Sequence, residues 1–169
     1  MKYNIIDTNL VQTHLLTEDD HVCGVFFNSD KHQKLLQSFR YQSDKDQNPF
    51  VSNVVDQLQE YLSGKLKKFT IPYKFVSGTE FQRKVWGVLE NIPYGITKTY
   101  KQIAEAIGNP KAVRAVANAV GMNPLSIIVP CHRVVGSDGT LHGYAGGVEM
   151  KEKLLGVEGF GIIIQSGNH

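Results

Sequence analysis

Apolar and polar residues alternate in short runs along the first part of the chain. The runs cover residues 3–6, 11–16 and 22–27, and polar turn-like segments separate them. Alternation of this kind, bounded by turn residues, predicts strands joined by tight turns. From residue 51 to residue 62 apolar side chains recur three and four positions apart, which predicts an amphipathic helix that ends near Gly64.

Two helices further along begin with the same capping signal. Thr79 with Gln82, and Thr99 with Gln102, form the pattern Thr-x-x-Gln. In this pattern the two side chains satisfy backbone N–H groups in the first helical turn. The preceding residues 65–77 predict a basic linker with at most one strand.

A helix-turn-helix is predicted over residues 99–120. The first helix is expected to end at Gly108, and the second to begin with Asn109 as N-cap and Pro110 at the first helical position. A plain helical hairpin in a bundle has the same pattern, and the pattern alone favours the hairpin. The basic second half and the residues downstream shift that balance towards DNA binding.

The exposed face predicted for the second helix carries short side chains and one long cation. Arg114 and Asn118 lie four positions apart and share a face. Ala115 and Ala119 on that face have short side chains, so a partner can come close to the helix backbone there. Such a face can approach a groove closely, whereas a face built for solvent more often carries Glu and Lys pairs. An ordinary surface cation is the alternative interpretation of Arg114.

The composition indicates a folded protein with a charge asymmetry. Of the 169 residues, 41% are hydrophobic and 20% are charged, which supports a core and argues against disorder. Residues 1–64 hold 5 basic and 9 acidic side chains, whereas residues 65–169 hold 13 basic and 7 acidic ones. The asymmetry suits a second half that binds a polyanion, and equally two differently solvated lobes.

Together these patterns predict an α/β protein of two lobes. A small N-terminal mixed α/β lobe is expected over residues 1–75, followed by a mainly helical C-terminal lobe with the helix-turn-helix over residues 76–169. No apolar run approaches the roughly 18 residues of a spanning helix, and residues 1–20 lack a sustained apolar run. We therefore expect a cytoplasmic protein without a membrane segment.

The two cysteines, Cys23 and Cys131, cannot form a disulfide framework and are expected to be free thiols. Cys131 follows an apolar run at residues 125–129, which predicts a short buried strand ending at a proline. A cysteine at a strand end is placed like a nucleophile, and the adjacent His132 and Arg133 can lower the pKa of a thiol. A buried structural cysteine is the alternative.

His132 can act on the neighbouring thiol only under a geometric condition. Adjacent residues of a regular strand point to opposite faces, so the backbone must turn or a water must bridge Cys131 and His132. A third group should orient the imidazole. The residues alone leave Glu149, Glu152 and Glu158 open as candidates for that group.

Residues 79–159 closely resemble the active domain of the O6-alkylguanine-DNA alkyltransferases, the methylated-DNA–protein-cysteine S-methyltransferases. Six segments in consistent order carry the resemblance: Phe81-Gln82-x-x-Val85-Trp86, Ile92-Pro93-Tyr94-Gly95, Arg114-Ala115-Val116, Asn123-Pro124, Pro130-Cys131-His132-Arg133-Val134 and Tyr144-x-Gly146-Gly147. The N-terminal lobe matches only in being a small α/β domain of suitable size.

The resemblance implies direct, single-turnover repair of alkylated DNA. Cys131 would take the alkyl group from O6 of guanine, or from O4 of thymine, and keep it irreversibly. The family pattern makes His132 the base, acting through a water and oriented by Glu158. Tyr100 corresponds to the proton donor to guanine, with a core-packing aromatic as the alternative, and Asn123 to the residue that holds the active-site turn together.

The resemblance also implies that the helix-turn-helix enters the minor groove of double-stranded DNA while the damaged base is flipped out. Arg114 corresponds to the residue that fills the vacated stack, and the other expected DNA contacts are Ala115, Asn118, Lys101, Asn109 and Ser137. The residues expected around the alkyl pocket are Tyr144, Ala145, Gly146 and Val134. Many members have serine at the position of Ala145, and an alanine side chain cannot make the hydrogen bond to the substrate oxygen that the serine makes.

No cofactor is expected, and the protein is expected to be a monomer. Some family members bind zinc in the N-terminal lobe, but Cys23, His21 and His14 offer one thiol at irregular spacing and are interpreted as strand residues. Three rival functions are less favoured. A damage sensor would lack the acceptor cysteine, a transcription regulator would need a base-reading helix, and a papain-like hydrolase would need a different cysteine signature.

Overall fold

The computed structural model describes residues 1–8, 10–45, 48–141 and 143–160, so residues 161–169 of the predicted second lobe lie outside the described residues. The described elements are, in chain order, β1 (Lys2–Asp7), β2 (Gln12–Glu18), β3 (His21–Phe26), α1 (Asp30–Gln37), β4 (Gln42–Ser43), α2 (Pro49–Leu62), α3 (Glu80–Leu89), β5 (Lys98–Thr99), α4 (Tyr100–Ala106), α5 (Val113–Gly121), a 3₁₀ turn (Cys131–Arg133), β6 (Val134–Val135) and α6 (Val148–Val157). The predicted fold class, a mixed α/β lobe followed by a mainly helical lobe, is confirmed.

The N-terminal lobe is built on a four-stranded sheet with the order β3-β2-β1-β4. The three long strands pair antiparallel, and β4 adds a two-residue parallel edge beside β1. The three predicted strands and helix α2 are therefore confirmed. Helix α1 was not predicted. Its sequence, DKHQKLLQ, holds only two apolar aliphatic residues, which are too few to show an apolar stripe.

The helical lobe begins as the capping signals predict. Thr79 and Gln82 form a complete capping box at the start of α3, and Thr99 and Gln102 form another at α4. Gly108 follows α4 with a φ of 79°, a left-handed conformation that glycine adopts without the penalty of a Cβ. The predicted pair of short helices is thus present as α4 and α5.

The start of α5 differs from the prediction. The helix begins at Val113, and its N-cap residue is Ala112. Asn109 and Pro110 lie instead in a turn, in which the N–H of Ala112 donates to the carbonyl of Asn109. The prediction that Asn109 caps the helix is wrong, because an Asn-Pro pair initiates turns as readily as it starts helices.

The apolar run at residues 125–129 is a turn, and the predicted strand is wrong. Leu125 makes one isolated parallel bridge with Val25, Ile127 has a φ of 70°, and the N–H of Val129 donates to the Leu125 carbonyl. A short buried apolar run has the same pattern whether it is extended or coiled. The turn leads directly into Pro130 and Cys131, and the Cys131 N–H donates to the Val129 carbonyl.

The largest hydrophobic cluster among the described residues joins the two lobes. It includes Leu15 of the sheet, Leu58 of α2, Trp86 of α3 and Val116 of α5. Trp86 is a core residue, and its indole N–H donates to the carbonyl of Ala119 at 2.8 Å. Ala119 is therefore in the core and not on the exposed face where the sequence analysis placed it. No helix among the described residues is both long and apolar enough to cross a membrane.

Candidate active site

The 3₁₀ turn places two adjacent side chains in two different environments. Cys131 begins the turn immediately after Pro130, and its side chain is buried. The turn supplies the change of backbone direction that a strand could not provide. Cys131 lies in a thiol pocket, which we define by Cys131, Asn123, Tyr100, Tyr144 and Lys151. His132 lies in a carboxylate cluster, which we define by Glu158, His132, Arg133, Tyr61 and the N–H of Gly95.

Asn123 closes the turn that leads to the thiol. Its side-chain amide donates to the Val129 carbonyl at 3.0 Å, and its side-chain oxygen accepts from the Leu125 N–H at 3.0 Å. Asn123 is buried, so neither bond competes with water. The residue therefore ties the exit of α5 to the segment that carries Cys131.

The thiol pocket contains one buried cation. The ammonium of Lys151 donates to the Val134 carbonyl and lies 5.8 Å and 5.7 Å from the ring centroids of Tyr100 and Tyr144. Burial lowers the pKa of Lys151 to about 8, and the charge on Cys131 opposes that change. Because no carboxylate in the described part of the chain pairs with it, Lys151 can stabilise a thiolate nearby.

Burial raises the pKa of the Cys131 thiol, because the thiolate loses contact with water. A hydrogen bond from Asn123 and the positive charge of Lys151 oppose this rise. The thiol is therefore neutral in the resting structure, and its ionisation requires a base as well as these two partners.

The two tyrosines of the thiol pocket, Tyr100 and Tyr144, have protonated hydroxyls at neutral pH. Burial raises the pKa of Tyr100 to about 12, and the pKa of Tyr144 also rises, with the charge on Cys131 as the next cause in both. The Tyr144 hydroxyl is buried and makes no normal hydrogen bond to any described residue. Both hydroxyls can act as donors at neutral pH.

Glu158 is the centre of the carboxylate cluster and accepts five hydrogen bonds. Oε1 accepts from Arg133 Nε at 2.8 Å and from the Gly95 N–H at 3.0 Å. Oε2 accepts from His132 Nε2 at 2.6 Å, from Arg133 Nη2 at 3.1 Å and from the Tyr61 hydroxyl. Burial would raise the pKa of Glu158, but the hydrogen bonds from His132 and Arg133 outweigh it and lower the pKa to about 2.

His132 is held by one ring nitrogen and leaves the other unbonded. Its Nε2 donates to Glu158, and its Nδ1 is buried with no hydrogen-bond partner among the described residues. Burial lowers the pKa of His132, although Glu158 partly offsets this effect. The imidazole is therefore neutral, and its partners assign the proton to Nε2, which leaves a lone pair on Nδ1.

The structure decides among the three carboxylates that the residues alone left open. Glu158 contacts His132 directly, whereas Glu149 is exposed and pairs with Lys153 at 3.8 Å. Tyr61 and Lys151 are site residues that the sequence analysis missed. Tyr61 lies on the apolar stripe of α2, and Lys151 stands in a charged stretch that is typical of a solvated helix. No signal in the sequence distinguishes either residue.

The predicted DNA-contact residues are exposed. Arg114, Ala115 and Asn118 share one face of α5, and Lys101, Asn109 and Ser137 are exposed on α4 and in two turns. The predicted pocket residues Val134, Tyr144 and Ala145 are buried. At Gly146 an added Cβ would lie 2.6 Å from the Phe27 ring and 2.7 Å from the Tyr144 ring, so only glycine fits.

The three side chains considered for zinc make separate contacts. His14 lies between the Tyr3 hydroxyl and the Asn28 side chain, His21 bonds the Asp19 carbonyl, and Cys23 is buried. Among the described residues no three or more His, Cys, Asp or Glu side chains form a group that could hold a metal ion.

Comparisons with known proteins agree over both lobes. The family model described as the 6-O-methylguanine DNA methyltransferase DNA-binding domain matches residues 80–160, and the model of the ribonuclease-like domain of the same proteins matches residues 1–75. These two matches define a class of protein, in which a ribonuclease-like domain is followed by a DNA-binding domain of the 6-O-methylguanine DNA methyltransferase type.

Individual relatives narrow the class to a family. A methylated-DNA–protein-cysteine methyltransferase of Methanosarcina mazei is 42% identical over 94% of this chain and 97% of its own length. A relative from Methanosarcina acetivorans is 55% identical, but the match covers only 65% of that protein. The crystal structure of Mycobacterium tuberculosis OGT in complex with DNA has a TM-score of 0.82 and 38% identity, and the match covers 94% of this chain and 92% of that one. This chain belongs to the methylated-DNA–protein-cysteine methyltransferase family.

Proposed function

We propose that this chain repairs DNA directly, by moving an alkyl group from O6 of guanine, or from O4 of thymine, to Sγ of its own Cys131. The observation that carries the proposal is the 3₁₀ turn, which puts a buried thiol beside an imidazole whose far side is fixed by Glu158. The printed name of the Methanosarcina mazei relative, a methylated-DNA–protein-cysteine methyltransferase, supports this chemistry.

The thiol is activated by His132 through a bridging water. Nδ1 of His132 carries the lone pair, so it accepts a proton from the water while the water takes the proton of the Cys131 thiol. Glu158 stabilises the imidazolium that forms, because its carboxylate stays ionised at a pKa of about 2. Lys151 and Asn123 stabilise the thiolate on the other side of the turn.

The transfer is a single displacement at the alkyl carbon. The thiolate forms the S–C bond with its own electron pair, and the C–O6 bond breaks with its electrons going to guanine. Tyr100 donates a proton to the guanine as the negative charge develops, and it regains one from the imidazolium through the solvent. Over the whole reaction the thiol proton replaces the alkyl group on guanine, and no external reductant or oxidant is needed.

The DNA is held by the helix pair, and the damaged base reaches Cys131 by rotating out of the duplex. The exposed face of α5, with Arg114, Ala115 and Asn118, enters the minor groove, and Arg114 fills the space that the base leaves. Lys101, Asn109 and Ser137 bind phosphates around this face. The crystal structure of the Mycobacterium tuberculosis relative in complex with DNA supports this assignment of the partner.

The reaction ends after one event for each protein molecule. A thioether is stable to displacement under these conditions, so the alkyl group stays on Cys131. The proposal therefore needs no cofactor, and a monomer contains all of its parts.

Intact-mass measurement tests the proposal. The protein is mixed with a duplex that contains one O6-methylguanine, then digested so that the peptide around Cys131 can be mapped. The expected result is a gain of one CH2 on Cys131 that saturates at one per protein. Cys131→Ala should remove the gain and keep DNA binding, whereas the control Cys23→Ala should retain both.

Two results would overturn the proposal. Unlimited conversion of substrate by substoichiometric protein would identify a turnover enzyme. Binding to the damaged duplex without any mass gain would identify a damage sensor instead.

A further inference from the structure

The beginning of helix α1, in the N-terminal lobe, is anchored on the loop segments of the proposed active site. The Ser29 hydroxyl donates to the carbonyl of Ala145, and it also accepts from the N–H of His32 as the N-cap of α1. His32 is buried, its Nδ1 accepts from the Phe27 N–H at 2.9 Å, and its Nε2 lies 3.4 Å from the Ser126 hydroxyl. The position of Lys31, between these two anchors, is therefore fixed by the C-terminal lobe.

The ammonium of Lys31 lies beside the last residue of α5. A Cβ added to Gly121 would be 2.5 Å from Lys31 Nζ and 3.8 Å from the carbonyl oxygen of Gly143. Lys31 therefore fills the space that a side chain at position 121 would otherwise occupy. Gly143 belongs to the loop that leads into Tyr144, so the ammonium stands at the rim of the thiol pocket.

Gly121 is buried, and it lies on the side of α5 that carries the proposed DNA contacts. It follows Arg114 by seven positions and Asn118 by three, which are helical spacings on one side. At a rise of 1.5 Å per residue, Gly121 lies about 10 Å along the helix from Arg114. The helix itself offers no side chain there, and the cation comes from the other lobe.

The charge of Lys31 is available to a ligand. Its side chain is exposed, and no carboxylate in the described part of the chain pairs with it. A lysine is a compact point charge with three donors, which suits a phosphate better than the edge of a base. Its charge also acts on the neighbouring His32 of the same helix, whose pKa is lowered to about 4 by burial first and by Lys31 next.

We infer that Lys31 binds a phosphate of the damaged DNA strand, so that the N-terminal lobe supplies one contact to the DNA next to the flipped nucleotide. The inference rests on the proposed function for the identity of the ligand. It adds a contact from a lobe that the helix-turn-helix assignment leaves without any role in binding.

The salt dependence of DNA binding tests the inference. Affinity for a duplex with one O6-methylguanine is measured over a range of KCl concentrations in a Cys131→Ala background, so that no transfer occurs. Lys31→Ala should weaken binding several-fold at low salt and reduce the slope of log K against log salt by about 0.9, the value for one phosphate. Lys34→Ala, an exposed lysine on the same helix, is the matched control and should change neither quantity.

A second variant moves the ammonium without removing it. Gly121→Ala keeps Lys31 but places a methyl group where its Nζ now lies. The same reduction in slope is expected. Transfer from free O6-benzylguanine, which has no phosphate, should proceed at the unsubstituted rate in Lys31→Ala with Cys131 present.

Three outcomes overturn the inference. The first is an equal effect of Lys31→Ala and Lys34→Ala, which would indicate that DNA is attracted by the overall positive charge of helix α1 and not by a contact of Lys31. The second is an unchanged slope in Lys31→Ala, and the third is slower transfer from the free base, which would indicate a structural role. A chain that shows the expected slopes but no mass gain on Cys131 would overturn the proposed function and leave the phosphate contact standing.

Discussion

The carboxylate cluster and the thiol pocket adjoin at one turn, yet they satisfy their polar groups to very different degrees. Glu158 accepts five hydrogen bonds and has a pKa of about 2. On the other side of the turn, burial raises the pKa of the Cys131 thiol, and the Tyr144 hydroxyl has no partner among the described residues. His132 follows Cys131 in the turn, with one ring nitrogen bonded to Glu158 and the other without a partner among the described residues.

The difference separates two tasks. A saturated buried carboxylate is costly to disturb and fixes the orientation of everything bonded to it. An unsaturated pocket holds donors whose partners arrive with the substrate, as expected where charge develops during a reaction. Substitutions in the carboxylate cluster should therefore reduce stability and rate together, whereas substitutions in the thiol pocket should reduce the rate with little effect on stability.

The largest effect is expected from Glu158→Gln. The guanidinium of Arg133 would stay buried without its carboxylate, and breaking a buried pair in this way costs about 3–5 kcal/mol. The loss of an oriented base should also slow transfer by about 100-fold or more. Urea unfolding and single-turnover transfer measure the two quantities.

Glu149→Gln is the matched control, because Glu149 is on the surface and 86% exposed. It should change neither stability nor rate. A Glu158→Gln protein that keeps the original unfolding free energy would contradict the structural role of the cluster.

A somewhat smaller effect is expected on acidification. The pKa of Glu158 is about 2 in the folded chain and 4.5 as its ordinary value, so the unfolded chain takes up the proton first as the pH falls. The stability that this carboxylate contributes is present above about pH 4.5 and is lost between about pH 4.5 and pH 2, up to about 3 kcal/mol.

His32 contributes a separate window, because its folded pKa is about 4 against 6.5. The unfolded chain is again protonated first, so that contribution is lost between about pH 6.5 and pH 4. Urea midpoints measured from about pH 7 down to about pH 3 should show both losses. Glu158→Gln should remove only the lower one, and loss of the upper one in that variant would count against the assignment.

The smallest effect is expected from Lys151→Met. This variant tests most directly whether a substitution in the thiol pocket changes the rate and not the stability. Removal of the cation near the thiolate should raise the pKa of Cys131 further and slow transfer at neutral pH by about tenfold. The unfolding free energy should change by less than about 1.5 kcal/mol, because Met has a similar volume and a desolvated charge is removed.

Lys153→Met provides the control on the same helix, since Lys153 is exposed and pairs with Glu149. An unaltered rate in Lys151→Met would assign that lysine to structure alone.

Much of the fold could be predicted because its signals are local. The capping boxes at Thr79 and Thr99 each lie within four residues, and the three long strands show alternation over short windows. The prediction failed at residues 125–129, because a short buried apolar run has the same pattern whether it is extended or coiled. The coiled course of residues 125–129 depends on the Asn123 side chain, which bonds the backbone at Leu125 and Val129.

The part of the site that lies within one continuous stretch of sequence could be predicted. Cys131 and His132 stand next to each other, and the family pattern supplies Glu158. Tyr61 could not be predicted, because it lies 71 positions before His132 and occupies a core position of α2. Lys151 has the sequence context of a surface residue, and only its burial beside two aromatic rings reveals its environment.

The alkyl transfer proposed for Cys131 would add volume to a hydrophobic core that both lobes share. A carbon added at Sγ has to fit where the side chain is 2% exposed, and overpacking of this kind typically costs about 1–3 kcal/mol. Because the lobes share that core, we expect the whole chain to unfold more often, not one lobe alone. Cellular proteases degrade chains in proportion to such openings, so one methyl group would shorten the lifetime of each molecule that has already acted.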